Sequence, residues 1–226
     1  MKYKVIASDM DETLLNDQHK ICQRNFDFIR MAKEKGVKFV PATGRGFMSI
    51  QRDLKLLGLY DIPQEYVLSF NGGALTENKD NKLLYFEGLS FEKTKEIFEF
   101  GLQQDVCQHI YTKDKVYVYN LSESEAKRIR EQQVECEIMT ENTMDFLKDE
   151  PISKILFQNT DVPYLMSLEP QMKAITEGMC AVSYSSNRYM EFNKIGVDKG
   201  QGLKHLAQII GLHLSECIAV GDNYNH

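Results

Sequence analysis

Residues 9–14 read Asp-Met-Asp-Glu-Thr-Leu, and they follow directly the segment Tyr-Lys-Val-Ile-Ala-Ser of residues 3–8. This segment is short, carries β-branched residues and is bounded by acids, which predicts a buried strand. Asp9 and Asp11 therefore lie at the carboxyl end of a strand, where a turn of the backbone lets both carboxylates reach one site. Because an acid pair at a turn is most often solvated or capping, other residues must decide whether it does chemistry.

Two further strands are predicted by the residues that follow, and each ends in a polar turn. The helical spacing of apolar residues predicts helices over residues 23–35 and 47–57. Strands over residues 37–41 and 66–69 alternate with them, which predicts an α/β fold with a parallel sheet and right-handed crossovers. Ligands of such sheets bind beyond the carboxyl ends of the strands. The motifs expected at that edge are Asp9-Met10-Asp11, Thr43-Gly44-Arg45 and Asn71-Gly72-Gly73.

The pattern changes after Ala74, where short strands and helices typical of an α+β block appear. Within this block, residues 109–112 and 115–119 predict an antiparallel hairpin, because a short Lys-Asp turn separates them. A helix over residues 199–210 and a buried strand over residues 217–220 then resume the earlier alternation. We therefore predict a core domain of residues 1–80 and 190–226 that is interrupted by an inserted domain of residues 81–189.

The composition indicates a folded protein that does not bind polyanions. The chain has 226 residues, of which 42% are hydrophobic and 27% charged, with a formal net charge of -6. Nucleic acids and anionic lipids require a dense basic surface, which this charge argues against. No stretch approaches the ~18 apolar residues of a membrane span, and five cysteines without a CxxC pair predict reduced thiols. We expect a cytoplasmic protein with no nucleic-acid or membrane partner.

Hydrolysis of a phosphate monoester needs a nucleophile, an acid for the leaving group, and cations around the phosphate oxygens. The carboxylate of Asp9 can attack phosphorus and form an aspartyl-phosphate. Asp11 can protonate the leaving oxygen and later activate water. Mg²⁺ needs few protein ligands, and we predict Asp9 and Asp222 for it. The groups expected around the phosphate are a hydroxyl, an amide, permissive glycine backbone and an ammonium at a helix start: Thr43, Asn71, Gly44, Gly72, Gly73 and Lys199.

These motifs, in this order, resemble the four motifs of the haloacid dehalogenase (HAD) superfamily, Cof-type branch (subfamily IIB). The residues that carry the resemblance are Asp9-Met10-Asp11-Glu12-Thr13-Leu14, Thr43-Gly44-Arg45, Asn71-Gly72-Gly73, Asp198-Lys199-Gly200 and Gly221-Asp222-Asn223-Tyr224-Asn225. The resemblance covers nearly the whole chain and implies a Rossmann-like parallel-sheet core with an inserted C2-type α+β cap domain. It also implies a Mg²⁺-dependent phosphatase for small phosphorylated metabolites, such as sugar phosphates, pyridoxal phosphate or flavin mononucleotide.

The resemblance further implies a role for each matching residue. Asp9 is the nucleophile and a metal ligand. Asp11 is the general acid and base, and its backbone carbonyl also contacts the metal. Asp222 is the remaining metal ligand. The residues implied to hold the phosphate are Met10 through its backbone, Thr43, Gly44, Lys199 and Asn225.

Two positions depart from the family pattern. Glu12 stands where the family usually has Gly, so we expect a strained or shifted turn there. The family's fourth motif continues beyond Asn225 to another Asp, whereas this sequence ends at His226. We therefore expect a core without its C-terminal part, and a homo-oligomer that covers the open sheet edge. Two alternatives to a phosphatase stay open: a phosphomutase, which forms the same intermediate, and a non-catalytic remnant.

Overall fold

The computed structural model of the protein describes residues 2–16, 18–132 and 134–222. Its strands are β1 (Val5–Asp9), β2 (Lys38–Ala42), β3 (Tyr66–Ser69), β4 (Ala74–Glu77), β5 (Lys82–Phe86), β6 (Cys107–Thr112), β7 (Val116–Tyr119), β8 (Glu137–Met139), β9 (Ile152–Gln158), β10 (Cys180–Ser185), β11 (Tyr189–Lys194) and β12 (Cys217–Val220). Its helices are α1 (Gln23–Glu34), α2 (Gln51–Leu56), α3 (Phe91–Gly101), α4 (Glu123–Gln132), α5 (Val162–Thr176) and α6 (Lys199–Ile209). The chain forms two compact units: a core unit of Met1–Phe86 and Val197–His226, and an inserted unit of Glu87–Gly196.

The core unit is built on a six-stranded sheet with the order β12-β1-β2-β3-β4-β5. The strands from β12 to β3 run parallel, while β4 and β5 add antiparallel pairs at one edge. Ser8 lies opposite Val220, and Ala42 lies opposite both Asp9 and Leu68. The carboxyl ends of the four parallel strands therefore meet at one edge, where ligands of α/β sheets bind.

Apolar side chains hold α6 against one face of this sheet. Leu203 and Leu206 of the helix pack with Val5, Val40 and Leu68 in one buried cluster. Full burial of such a side chain stabilises the fold by about 1.5–3 kcal/mol. The cluster therefore fixes α6, and with it the first residue of the helix, relative to the strand ends.

The inserted unit has its own six-stranded sheet, with the order β10-β11-β9-β6-β7-β8. The antiparallel pairing of β6 with β7 confirms the hairpin expected from the sequence. Ile97 and Phe98 of α3 and Leu165 and Leu168 of α5 belong to a second buried apolar cluster, which forms the core of this unit. No helix in the described part of the chain is long and apolar enough to cross a membrane.

Both boundaries of the inserted unit differ from those expected from the sequence. Residues 81–86 were expected in the insertion, but β5 pairs with β4 and extends the core sheet to Phe86. Residues 190–196 were expected in the core, but β11 pairs with β9 and β10 in the inserted sheet. Strand pairing determines both boundaries: β5 pairs with the preceding strand β4, and β11 pairs with β10 and with β9. Single-sequence patterns contain little information about which strands pair.

Two strands, β4 and β8, are not indicated by a local sequence pattern. The polar residues 76–82 favour a turn, yet β4 places Leu75 and Thr76 in the interior. The turn comes later, where Asp80 and Asn81 adopt positive φ. The second strand, β8, has only three residues and pairs in parallel with β7, too short for a recognisable alternation.

Candidate active site

Asp9 is the last residue of β1, and its carboxylate is almost completely enclosed. Oδ1 accepts a hydrogen bond from the Met10 N–H at 2.8 Å, and Oδ2 lies 2.8 Å from Nζ of Lys199. The side chains of Asp9 and Lys199 are only 10% and 8% exposed. Because burial of a charge is costly unless the charge is paired, this ammonium and N–H compensate a carboxylate anion at the strand end.

Lys199 reaches Asp9 because the start of α6 lies against the turn after β3. The carboxylate of Asp198 caps the helix by accepting a hydrogen bond from the Gln201 N–H at 2.7 Å. Gly72 has φ of 90°, and a Cβ at this position would lie 2.2 Å from the Asp198 carbonyl oxygen. A Cβ at Gly202 would lie 2.8 Å from the Gly72 Cα. The two glycines therefore permit the backbone contact that places the ammonium in the site.

The turn after Asp9 is strained at Glu12, the position where the sequence predicts strain. The Leu15 N–H donates to the Met10 carbonyl at 2.8 Å and closes a wide turn over residues 10–14. Within it, Glu12 has φ of 60°, in the left-handed region that favours Gly. The expected strain is therefore confirmed as a non-glycine residue in a glycine conformation.

Asp11, on the same turn, has a half-exposed carboxylate that contacts Arg45. Oδ2 of Asp11 lies 3.3 Å from Nε of Arg45, and the side chain of Asp11 is 48% exposed. Asp9 is thus enclosed beside an ammonium, whereas Asp11 is accessible to solvent. The two carboxylates, separated by one residue, occupy different environments, which suits different chemical roles.

Arg45 also contacts a second carboxylate, that of Asp53 in the first turn of α2. Nη2 of Arg45 lies 3.6 Å from Oδ2 of Asp53. Burial raises the pKa of Asp53, while the Arg45 guanidinium opposes that rise and the Asp11 carboxylate adds to it. Sequence reasoning assigned no role to Arg45 or Asp53. An acid in the first turn of a helix is ordinary helix-dipole chemistry, so nothing in the sequence distinguished Asp53.

Thr43 and Gly44 follow β2 and form the next wall of the site. The N–H of Thr43 donates to the Leu68 carbonyl at 2.9 Å, and its carbonyl accepts from the Asn71 N–H at 2.9 Å. The Thr43 hydroxyl accepts from the Arg45 N–H at 3.1 Å, and the residue is fully buried. A Cβ at Gly44 would lie 2.8 Å from Oδ1 of Asn71. The turns after β2 and β3 therefore pack together, as expected for neighbouring strand ends.

Asp222 follows β12, the strand next to β1. Oδ1 of Asp222 accepts a hydrogen bond from the Thr13 hydroxyl at 3.3 Å. The turn after β1 and the segment after β12 therefore meet at the same sheet edge. Asn225, the remaining expected phosphate ligand, lies outside the described residues.

The oxygen donors at this edge suit a magnesium ion. Asp9 and Asp222 carry carboxylates at or just beyond the ends of the paired strands β1 and β12, and with the carbonyl of Asp11 they are the hard oxygen donors that Mg²⁺ prefers. Within residues 2–16, 18–132 and 134–222, no group of three or more His, Cys, Asp or Glu is placed to hold a metal ion. Mg²⁺ usually takes only one or two carboxylates and completes its shell with water and phosphate. Two carboxylates and one carbonyl therefore fit Mg²⁺, and do not suit a metal that needs a full protein cage.

Comparison with known proteins identifies the family to which the chain belongs. Residues 6–225 match the family model of haloacid dehalogenase-like hydrolases. The Bacillus subtilis protein YxeH is 27% identical over 99% of this chain and 82% of its own length. Phosphatase YwpJ of the same organism is 25% identical over 98% of this chain and 84% of its own length.

Solved structures share the fold. A haloacid dehalogenase-like hydrolase from Bacteroides thetaiotaomicron superposes with a TM-score of 0.84 at 27% identity, covering 99% of this chain and 83% of its own. An HAD subclass IIB sugar phosphatase superposes with a TM-score of 0.79 at 19% identity, covering 98% and 82%. With its family model matched from residue 6 to residue 225, and with acids at the expected strand ends, the chain belongs to the haloacid dehalogenase-like hydrolase family.

Proposed function

We propose that this protein is a Mg²⁺-dependent phosphatase that hydrolyses small phosphorylated metabolites through an aspartyl-phosphate on Asp9. The observation that carries the proposal is the enclosed pair of Asp9 and Lys199 at a strand end, with the accessible carboxylate of Asp11 two residues further on. A carboxylate nucleophile beside a cation that can receive phosphate oxygens is what phosphoryl transfer requires. Phosphatase YwpJ and the subclass IIB sugar phosphatase support the choice of reaction.

In the first step, a carboxylate oxygen of Asp9 attacks phosphorus, and the bond from phosphorus to the ester oxygen breaks. Asp11 donates its proton to that departing oxygen, so an alcohol leaves rather than an alkoxide. The ammonium of Lys199 stabilises charge on the phosphate oxygens as the bond is exchanged. The product of this step is an aspartyl-phosphate on Asp9.

In the second step, Asp11 acts in the opposite direction. Its carboxylate takes a proton from water, the water oxygen attacks phosphorus, and the bond to the Asp9 oxygen breaks. Inorganic phosphate is released, and both carboxyl groups return to their initial states. The exposure of Asp11 supports this role, since the group must exchange protons with a leaving group and with water.

The carboxylates of Asp9 and Asp222 and the carbonyl of Asp11 would hold Mg²⁺. When bound, the ion neutralises charge on the phosphate oxygens. Thr43 and Gly44, together with the backbone at Met10 and with Asn225, complete the proposed phosphate site.

The substrate class, location and assembly are parts of the same proposal. Sugar phosphates or similar monoesters are the proposed substrates, and the cytoplasm is the proposed location. The five free thiols of Cys22, Cys107, Cys136, Cys180 and Cys217 support a reducing compartment. A homo-oligomer stays a prediction, and oligomeric state in solution tests it.

The decisive assay measures inorganic phosphate released from an aryl phosphate and from a panel of sugar phosphates, with Mg²⁺ and with EDTA. We expect turnover only with Mg²⁺. Asp9→Asn should lower kcat by roughly 10³-fold or more because it removes the nucleophile. The same change removes the Asp9 charge that lies beside the buried Lys199 ammonium, so circular dichroism at the assay temperature must accompany the rates.

Asp27→Asn is the matched control, since the carboxylate of Asp27 is 45% exposed and pairs with Arg30 on the surface of α1. It should keep wild-type turnover. Wild-type turnover in folded Asp9→Asn would contradict the mechanism. Transfer of the phosphoryl group to a second hydroxyl, without release of phosphate, would contradict the phosphatase and indicate a phosphomutase.

A further inference from the structure

The guanidinium of Arg45 lies between two carboxylates of unequal exposure. Nε is 3.3 Å from Asp11, whose side chain is 48% exposed. Nη2 is 3.6 Å from Asp53, whose side chain is only 16% exposed. Arg45 therefore contacts one carboxylate that is mostly enclosed by protein, Asp53, and one that is accessible to solvent, Asp11.

The backbone of Arg45 is fixed independently of either carboxylate. Its N–H donates to the Thr43 hydroxyl at 3.1 Å, and its carbonyl accepts from the Phe70 N–H at 3.0 Å. The side chain, which is 36% exposed, has a third neighbour in Sδ of Met10, 3.9 Å from Nη2. A thioether is a weak acceptor, so Asp53 is the stronger of the two partners of Nη2.

We propose that Asp53 is a positioning residue of the active site: by holding the guanidinium of Arg45, it orients the carboxylate of Asp11 toward the reacting oxygen. This inference rests on the proposed function, because it assigns Asp11 the acid and base role. A long side chain that loses its mostly enclosed partner regains rotamer freedom. Small misplacements of a catalytic group lower rates strongly.

Substrates with different leaving groups distinguish a positioning role of Asp53 from a merely structural one. An aryl phosphate such as p-nitrophenyl phosphate releases a weakly basic phenolate, which needs little help from an acid. An alkyl phosphate such as glycerol phosphate releases a strongly basic alkoxide, which needs the proton of Asp11. The value of kcat/KM reports the steps up to formation of the aspartyl-phosphate, in which Asp11 is the acid. General damage to the site lowers kcat/KM for both substrates alike.

The experiment compares kcat/KM of wild type and Asp53→Asn with both substrates in the presence of Mg²⁺. Asn keeps the volume of Asp53 but loses its charge. We expect the variant to lose about tenfold more kcat/KM with the alkyl phosphate than with the aryl phosphate, within the range of general acid catalysis. Asp53→Glu, which restores the charge, should recover part of the alkyl rate.

Asp61→Asn is the control, because it removes another ion pair of the core unit, between Asp61 and Lys79 at 3.0 Å. It should leave the ratio of the two rates unchanged. Equal losses with both substrates in Asp53→Asn, or no loss, would overturn the inference while the wild-type activity upheld the proposed function. Absence of Mg²⁺-dependent turnover by the wild type would overturn the proposed function and this inference with it.

Discussion

Glu12 is a single residue held in a backbone conformation that favours Gly. Its φ of 60° puts an exposed side chain in the left-handed region, which costs an L-residue about 1–2 kcal/mol. The strain lies between the two carboxylates of the site and the residues that close the turn. We therefore expect this turn to be less stable than the same turn with Gly at position 12. The carboxylates of Asp9 and Asp11 are retained in either case.

We predict that Glu12→Gly raises the free energy of unfolding by about 0.5–1 kcal/mol, because the relief of strain is partly offset by the freedom of Gly in the unfolded chain. Thermal unfolding should show a rise in Tm of a few degrees, at about 2–4 °C per kcal/mol for a protein of this size. Glu12→Ala removes the same side chain but keeps the strain, and should show no rise. Equal Tm values for the Gly and Ala variants would contradict this explanation.

At the scale of elements, the contact between the start of α6 and the turn after β3 determines where Lys199 lies. Gly72 and Gly202 approach so closely that a side chain on either would displace backbone. Both positions therefore require Gly for steric reasons, although they lie 130 residues apart in the sequence, from 72 to 202. Their contact connects the packing of α6 directly to the partner of the nucleophile.

We predict that Gly72→Ala destabilises the protein by more than about 2 kcal/mol and lowers kcat/KM at least about tenfold, because the new Cβ must push the start of α6 away. Gly211→Ala, just beyond the other end of α6, is the matched control. Its φ of 72° is also positive, but a methyl group there would meet nothing within 4 Å among the described residues. Urea unfolding and the phosphatase assay measure both effects.

The control variant should lose only about 1–2 kcal/mol from a strained backbone and keep its activity. If Gly72→Ala were no worse than Gly211→Ala in both measurements, the close contact would not position Lys199. A loss of stability without a loss of activity would show that the contact supports the fold alone.

The elements of the core were largely predictable because each carries a local pattern. The run of residues 3–8 predicts β1, and the apolar spacing that includes Ile29 and Ala32 predicts α1. Placing the motifs at one sheet edge predicts that Asp9 and Lys199 lie in the same site, although it does not predict the ion pair between them. The contact of Arg45 with Asp53 did not, because side-chain direction in the first turn of α2 depends on packing that no local pattern contains.

At the scale of the whole molecule, the inserted unit contains a buried polar cluster around His109. This residue is 4% exposed. Burial, and then the positive charges of Lys154 and Arg188, lower the pKa of His109 to about 3 from the ordinary 6.5. Nε2 of His109 lies 3.6 Å from the Glu125 carboxylate, and the ring lies 6.1 Å from that of Tyr189. In the folded protein at neutral pH, the imidazole of His109 is therefore neutral.

This shift predicts a loss of stability in acid. Between pH 6.5 and 3 the unfolded chain protonates His109 while the folded chain does not, so the free energy of unfolding falls as pH falls. The contribution of His109 between pH 7 and pH 5 is about 2 kcal/mol. Urea unfolding at pH 7 and pH 5 gives the drop in the free energy of unfolding between the two pH values. This drop should be about 2 kcal/mol smaller for His109→Gln than for wild type.

His19→Asn is the control, because His19 is exposed, and Asn tolerates its φ of 52°. It should follow the wild-type pH dependence. A His109→Gln variant with the same loss between pH 7 and pH 5 as wild type would contradict a depressed pKa in the folded state.

The claim that Asp9 is the nucleophile is tested most directly by trapping its phosphorylated form. Protein quenched with acid during turnover of a phosphate monoester with Mg²⁺ is treated with borohydride, which reduces an aspartyl-phosphate, and peptides are examined by mass spectrometry. We predict a reduced residue at position 9, dependent on substrate and absent when substrate is omitted. Substrate-dependent reduction at another carboxylate, with Asp9 unmodified in an enzyme that turns over, would contradict the mechanism.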